Sequence, residues 1–122
     1  DQLCLKIIKD MDEQGNYLDN MLSLNDVRVR TVKLSANENT TLVELLEFES
    51  HNDNKIRNFY TIGTSHVAFT VDDIEKLYVD LSEKNIKFNA IPQKSPDGLV
   101  KVTFCKDPDG TPIELVEMLN SV

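Results

Sequence analysis

The chain has 122 residues, with 13 Lys and Arg against 21 Asp and Glu, for a formal net charge of −8 and a pI near 4.6. That length suits one domain able to bury its own core, and 40% hydrophobic with 28% charged residues reads as soluble and globular. The acidic balance argues against nucleic acid and anionic membrane surfaces as main partners, since both want a basic face, and no apolar run nears the ~20 residues of a membrane span.

Taken in order, the first half predicts a strand over Leu3–Lys9, a short amphipathic helix over Asn16–Leu24, a strand over Val27–Ser35, a turn at Asn37–Thr40 and a strand over Thr41–Phe48. Residues 49–64 are polar at their start and join two halves. Ser65–Val71 alternates with β-branched and aromatic residues and predicts a strand. Asp72 and Asp73 supply an N-cap for a helix whose Ile74, Leu77, Tyr78 and Leu81 recur at helical spacing and which ends near Asn85. Ile86–Ile91 reads as a strand, Pro92–Gly98 as a loop, Val100–Cys105 as a strand, Asp107-Pro108-Asp109-Gly110 as a turn and Thr111–Met118 as the last strand. Two cysteines, Cys4 and Cys105, are too few for a disulfide scaffold or a Cys-rich zinc site, which makes a reduced cytoplasm the default compartment. Cys105 reads as a small packing residue.

The two halves repeat. Thr41 to Glu47 and Thr111 to Glu117 superpose at an offset of 70, and the strands around Val32 and Val102 fit the same offset. The first half has no counterpart to Ser65–Asp73 or to the helix after it, so a complete first copy is expected to carry one more strand and one more helix at its front.

Alternation puts Glu44 with Leu46 and Phe48, and Glu114 with Val116 and Met118. Both faces of these strands are largely apolar, and an ionised carboxylate buried there needs a compensator. A divalent first-row ion (Zn, Ni, Co, Mn or Fe) held by Glu44, Glu114 and His66 is one. The plainer alternatives stay open: Glu44 paired across strands with Lys33, Glu114 at a wet edge, His66 as a satisfied core histidine. Arg28 and Arg30 flank Val29, either gripping an anion or lining an exposed face, and Tyr17 to Leu24 reads as an amphipathic helix.

Ser65-His66-Val67-Ala68-Phe69-Thr70-Val71-Asp72-Asp73, the helix after it, and Asp107-Pro108-Asp109-Gly110-Thr111-Pro112-Ile113-Glu114-Leu115 together resemble the glyoxalase/bleomycin-resistance/extradiol-dioxygenase (vicinal oxygen chelate) superfamily, and its glyoxalase I-like (lactoylglutathione lyase-like) members in particular. The resemblance implies an α+β fold of two paired βαβββ modules forming a curved half-barrel cup, the first lacking its opening strand and helix. The whole is expected to be one domain over residues 1–122, with a partial first module over 1–50, a connector over 51–63 and a complete second module over 64–122. It further implies a metal held by one side chain from the first and one from the last strand of each module. Glu44, His66 and Glu114 would be three of the four.

The expected activity is that of a glyoxalase I or epimerase-type lyase or isomerase, moving a proton next to a carbonyl through a metal-stabilised enediolate. Glu114 or Glu44 would carry the proton. Lys101 and Thr103 are expected on the inward face beside Glu114, in contact with a small α-carbonyl or thioester substrate. The alternative is a metal-free protein of the same superfamily that binds a small ligand, such as a sequestered antibiotic. An open sheet edge at the incomplete module predicts a homodimer.

Overall fold

Residues 3–36, 41–55 and 57–119 are described by the computed structural model, and their elements follow from pairing and capping chemistry. In chain order these are β1 (Lys6–Glu13), α1 (Asn16–Leu22), β2 (Val29–Ser35), β3 (Val43–Phe48), β4 (Val67–Thr70), α2 (Ile74–Glu83), β5 (Gln93–Lys94), β6 (Val100–Lys106) and β7 (Pro112–Met118). The class is α+β, with the strands in two open sheets. They belong to two compact units, Asp1–Asn54 and Lys55–Val122. No helix among the described residues is long and apolar enough to cross a membrane.

In the first unit β1, β2 and β3 form an antiparallel sheet in that order. The first strand is displaced from the expected Leu3–Lys9. It follows its partner, pairing Asp10 with Val32 and Glu13 with Val29, and leaves Ile7 and Ile8 exposed. Asp12 stands across from Arg30, and the Arg30 guanidinium forks onto Asp10, Nε to Oδ1 at 3.0 Å and Nη2 to Oδ2 at 2.8 Å. That contact holds the Asp10 carboxyl below its usual range. It also spends Arg30 on the strand face.

Helix α1 stops at Ser23, which takes a left-handed conformation at φ 54°. The Asp19 carboxylate accepts from the backbone N–H of Asp26 and Val27, tying the helix to the entrance of β2. Leu18, Val27 and Val29 form the buried cluster, with Leu22, Leu24 and Phe48 against it. The apolar side of α1 is therefore used in this unit's own core, while Tyr17 and Met21 are exposed. The expected turn at Asn37–Thr40 lies outside the described residues.

The second unit has the expected βαβββ order and a sheet ordered β4-β7-β6-β5. Parallel pairing of β4 with β7 requires a crossover, which α2 supplies. Asp73 caps α2 by accepting from the N–H of Lys76 at 3.0 Å. The N–H of Ile74 donates to Glu117 on β7 at 3.1 Å. Ile74 and Leu115 are fully buried, Leu81 and Cys105 nearly so. Burial pushes the Cys105 thiol pKa up, as befits a packing residue.

The strand expected over Ile86–Ile91 is not continuous. Phe88 makes an isolated bridge to Cys105, and the ladder proper is Gln93–Lys94 against Val102 and Lys101. The hydroxyl of Thr103 donates to the Ala90 carbonyl in between, at 2.7 Å. A turn closed by the N–H of Ser95 donating to the Val100 carbonyl then leads into β6. At the next turn Asp107 Oδ1 accepts from the N–H of Asp109 and Thr111, and Gly110 takes φ 89°.

The order β1-β2-β3 matches β5-β6-β7, so the repeat extends to sheet topology. Its offset is not uniform. Glu44 faces Lys33, whereas Glu114 faces Phe104. The last strands differ by 114 − 44 = 70 and the preceding ones by 104 − 33 = 71. The single offset expected around Val32 and Val102 is corrected by one residue.

Removing the cap with Asp73→Ala is expected to cost about 1 kcal/mol, and Leu115→Ala about 2–5 kcal/mol, both read from urea unfolding midpoints at unchanged slope.

Candidate functional site

Directly opposed residues in a sheet share a face, and alternation puts their neighbours on the other. Glu114 on β7 stands opposite Phe104 on β6 and Ala68 on β4. His66 precedes β4 by one residue, two positions from Ala68, and so returns to the Glu114 face. His66 Nε2 and Glu114 Oε1 are 3.6 Å apart. That is beyond a hydrogen bond. Two ligands ~2.1 Å from one tetrahedral ion stand roughly 3.4 Å apart, close to the observed spacing. An imidazole nitrogen and a carboxylate oxygen are also the donor types a divalent first-row ion takes. The pair thus fits two corners of such a site. Among the described residues no cluster of three or more His, Cys, Asp and Glu is assembled to hold a metal.

Two phenylalanines wall the pair. Phe59 stacks on the His66 ring at 6.2 Å between centroids, Phe104 meets His66 edge-on at 5.2 Å, and the two phenylalanines meet edge-on at 5.0 Å. Phe59 is carried by a turn in which the N–H of Asn58 donates to Thr61 Oγ1 and that of Thr61 to the Asn58 carbonyl. Sequence reasoning missed both rings. The alternation of β6 contains the signal for Phe104, but Phe59 lies in a polar connector without periodicity.

Lys101 and Thr103 are not on this face, which corrects the expectation that they share it. They pair with Glu117 and Leu115, one position out of step with Glu114. A one-residue change of register reverses every side chain. Lys101 is ion-paired with Glu75 of α2, and Thr103 is buried on the Ala90 carbonyl.

Glu44 differs from Glu114 in its surroundings. Strand β3 is largely exposed, with Leu45 and Leu46 about half accessible, so the premise of a carboxylate buried between apolar faces fails there. The Glu44 side chain is 49% exposed against 23% for Glu114. Its partner is Lys33, Nζ to Oε1 at 4.0 Å, the cross-strand alternative allowed by the sequence.

The family model of the Glyoxalase/Bleomycin resistance protein/Dioxygenase superfamily matches residues 1–115. An uncharacterized protein of Escherichia coli, YaeR, is 42% identical over 55 residues, 45% of this chain and 42% of that protein. The match thus spans about two fifths of that relative's length. Among solved structures, a glyoxalase family protein from Bacillus cereus superposes with a TM-score of 0.83 at 18% identity, over 98% of this chain and 81% of the other. A trypanothione-dependent glyoxalase I from Leishmania major follows with a TM-score of 0.64 at 20% identity, over 95% and 70%. At those identities the likeness is one of fold.

Ring currents from Phe59 and Phe104 should displace the His66 ring-proton resonances. In NMR spectra Phe59→Ala is expected to move them toward free-imidazole values, and Lys101→Met to leave them in place.

Proposed function

The chain belongs to the Glyoxalase/Bleomycin resistance protein/Dioxygenase superfamily, and from that premise we propose that it is a metal-dependent lyase or isomerase of glyoxalase I or epimerase type. Its substrate is a small α-carbonyl or thioester compound, and its reaction is proton transfer at the carbon next to the carbonyl. The observation that carries this reading is the approach of His66 Nε2 and Glu114 Oε1 to 3.6 Å on one sheet face.

His66 and Glu114 would hold a divalent ion, of the Zn, Ni, Co, Mn or Fe group; Glu44 occupies the matching repeat position in the first unit and is the third ligand that the family resemblance implies. When bound, such an ion polarises a substrate carbonyl and stabilises the negative charge left by the departing proton. Glu114 has a second carboxylate oxygen with which to take that proton and return it, as general base and then acid. Phe59 and Phe104 limit water beside the His66 ring and fix its plane. Lys101 and Thr103 are left out of substrate contact. Two cysteines without a partner suit a cytoplasmic setting. The edge of β3 away from β2, unpaired among the described residues, suits pairing in a homodimer.

A metal-free ligand-binding protein is the second reading. The Lys33–Glu44 pair favours it, because a lysine there already neutralises one expected ligand.

Titration of the metal-stripped protein with Co²⁺, followed by visible absorption, separates the two. One ion per chain is expected, with His66→Gln and Glu114→Gln each losing more than the roughly tenfold that a supporting contact is worth. Absence of a cobalt spectrum in the wild-type chain would overturn the enzyme reading in favour of the binder.

A further inference from the structure

A second candidate site lies in the Lys55–Val122 unit, where the segment leading to His66 meets the start of β7. A cavity of about 260 Å³ opens between the segment before β4 and the β6–β7 turn, walled by Lys55, Arg57, Gly63, Thr64, Asp109 and Thr111 among others. That volume falls just below the range for whole small-molecule ligands, so it suits one charged group and its water.

Four features of the wall converge. Two cations meet one carboxylate, a local balance of +1 in a chain whose total is −8. Among the described residues Arg57 makes no ion pair or hydrogen bond, and Asp109 lines the same cavity without engaging it. The Arg57 head is placed by the backbone: Gly63 turns at φ 91°, and a Cβ there would stand 3.4 Å from Arg57 Nη1. Glycine thus lets the guanidinium lie against the turn. Finally, the Thr64 hydroxyl is buried with no hydrogen-bond partner, and a buried donor without an acceptor is costly.

We propose that this cavity binds a small oxyanion, the carboxylate or phosphate group of a metabolite, with Arg57 as the forked donor, Lys55 as the second charge and Thr64 as a hydroxyl donor. A planar guanidinium matches either oxyanion with two parallel hydrogen bonds. Asp109 limits the charge tolerated and so disfavours polyanions. Neither His66 nor Glu114 lines this cavity. The site therefore stands whether or not His66 and Glu114 hold a metal.

The test is an NMR titration of the ¹⁵N-labelled chain with sodium phosphate and, separately, sodium acetate, at ionic strength held constant with chloride. Saturating shifts at the amides of Gly63, Thr64 and Thr111 are expected, weakened about tenfold or more in Arg57→Gln. A response to phosphate alone assigns a phosphate ligand, and a response to acetate alone a carboxylate. Arg57 is exposed, so its variant should keep the wild-type amide dispersion, and Lys55→Gln gives a second, smaller loss. Glu114→Gln should leave the affinity unchanged. Shifts that stay linear to about 100 mM, far above millimolar affinity, would overturn the proposal. So would equal binding by Arg57→Gln, or loss of binding in Glu114→Gln.

Discussion

The register between β6 and β7 determines which chemistry each face of the second sheet can support. Glu114 opposes Phe104, and Leu115 opposes Thr103. Every other residue on these strands is committed by that choice. Thr103, Cys105 and Leu115 take the buried face. Ile74 brings α2 to β7 through its N–H bond to Glu117, and Lys101 is drawn to Glu75 on the same helix. What remains for the opposite face is Glu114, with Phe104 beside it and His66 arriving from the parallel strand. A slip of one residue would bury the carboxylate against α2 and expose Leu115, a loss the core could not absorb.

The two repeated glutamates show how position and environment separate. Glu114 is flanked on both sides, by β4 and by β6, and is mostly withdrawn from water. Glu44 has β2 on one side and is half exposed, and a lysine stands across from it. An exposed pair at 4.0 Å contributes at most about 1 kcal/mol, so it would yield readily to a stronger partner. The same repeat position thus carries a half-buried carboxylate in one unit and a solvated ion pair in the other. The change of offset from 70 to 71 accompanies this difference, placing Lys33 where the second unit has Phe104.

Much of the fold was legible because it rests on local signals. The Asp73 cap, the helical spacing of Ile74 and Leu81, the Asp107–Gly110 turn and the alternation of β6 and β7 each follow from neighbours in the chain. The family resemblance rested on those same segments. Errors arose where pairing overrides local pattern. Ile7 and Ile8 look like a core strand, yet β1 is set by its register with β2. Ile86–Ile91 looks like a strand, yet the ladder forms only after Pro92. Lys101 and Thr103 were misplaced because hairpin parity depends on one residue. His66 and Glu114 could be named from their strands, but their approach, and the ring of Phe59 over His66, are tertiary facts.

Whether His66 and Glu114 serve one ion is decided most directly by anomalous diffraction at the cobalt edge from crystals of the metal-loaded protein. The expected result is a peak at about 2.0–2.2 Å from both His66 Nε2 and a Glu114 carboxylate oxygen. A loaded crystal with no peak between those two side chains would contradict it.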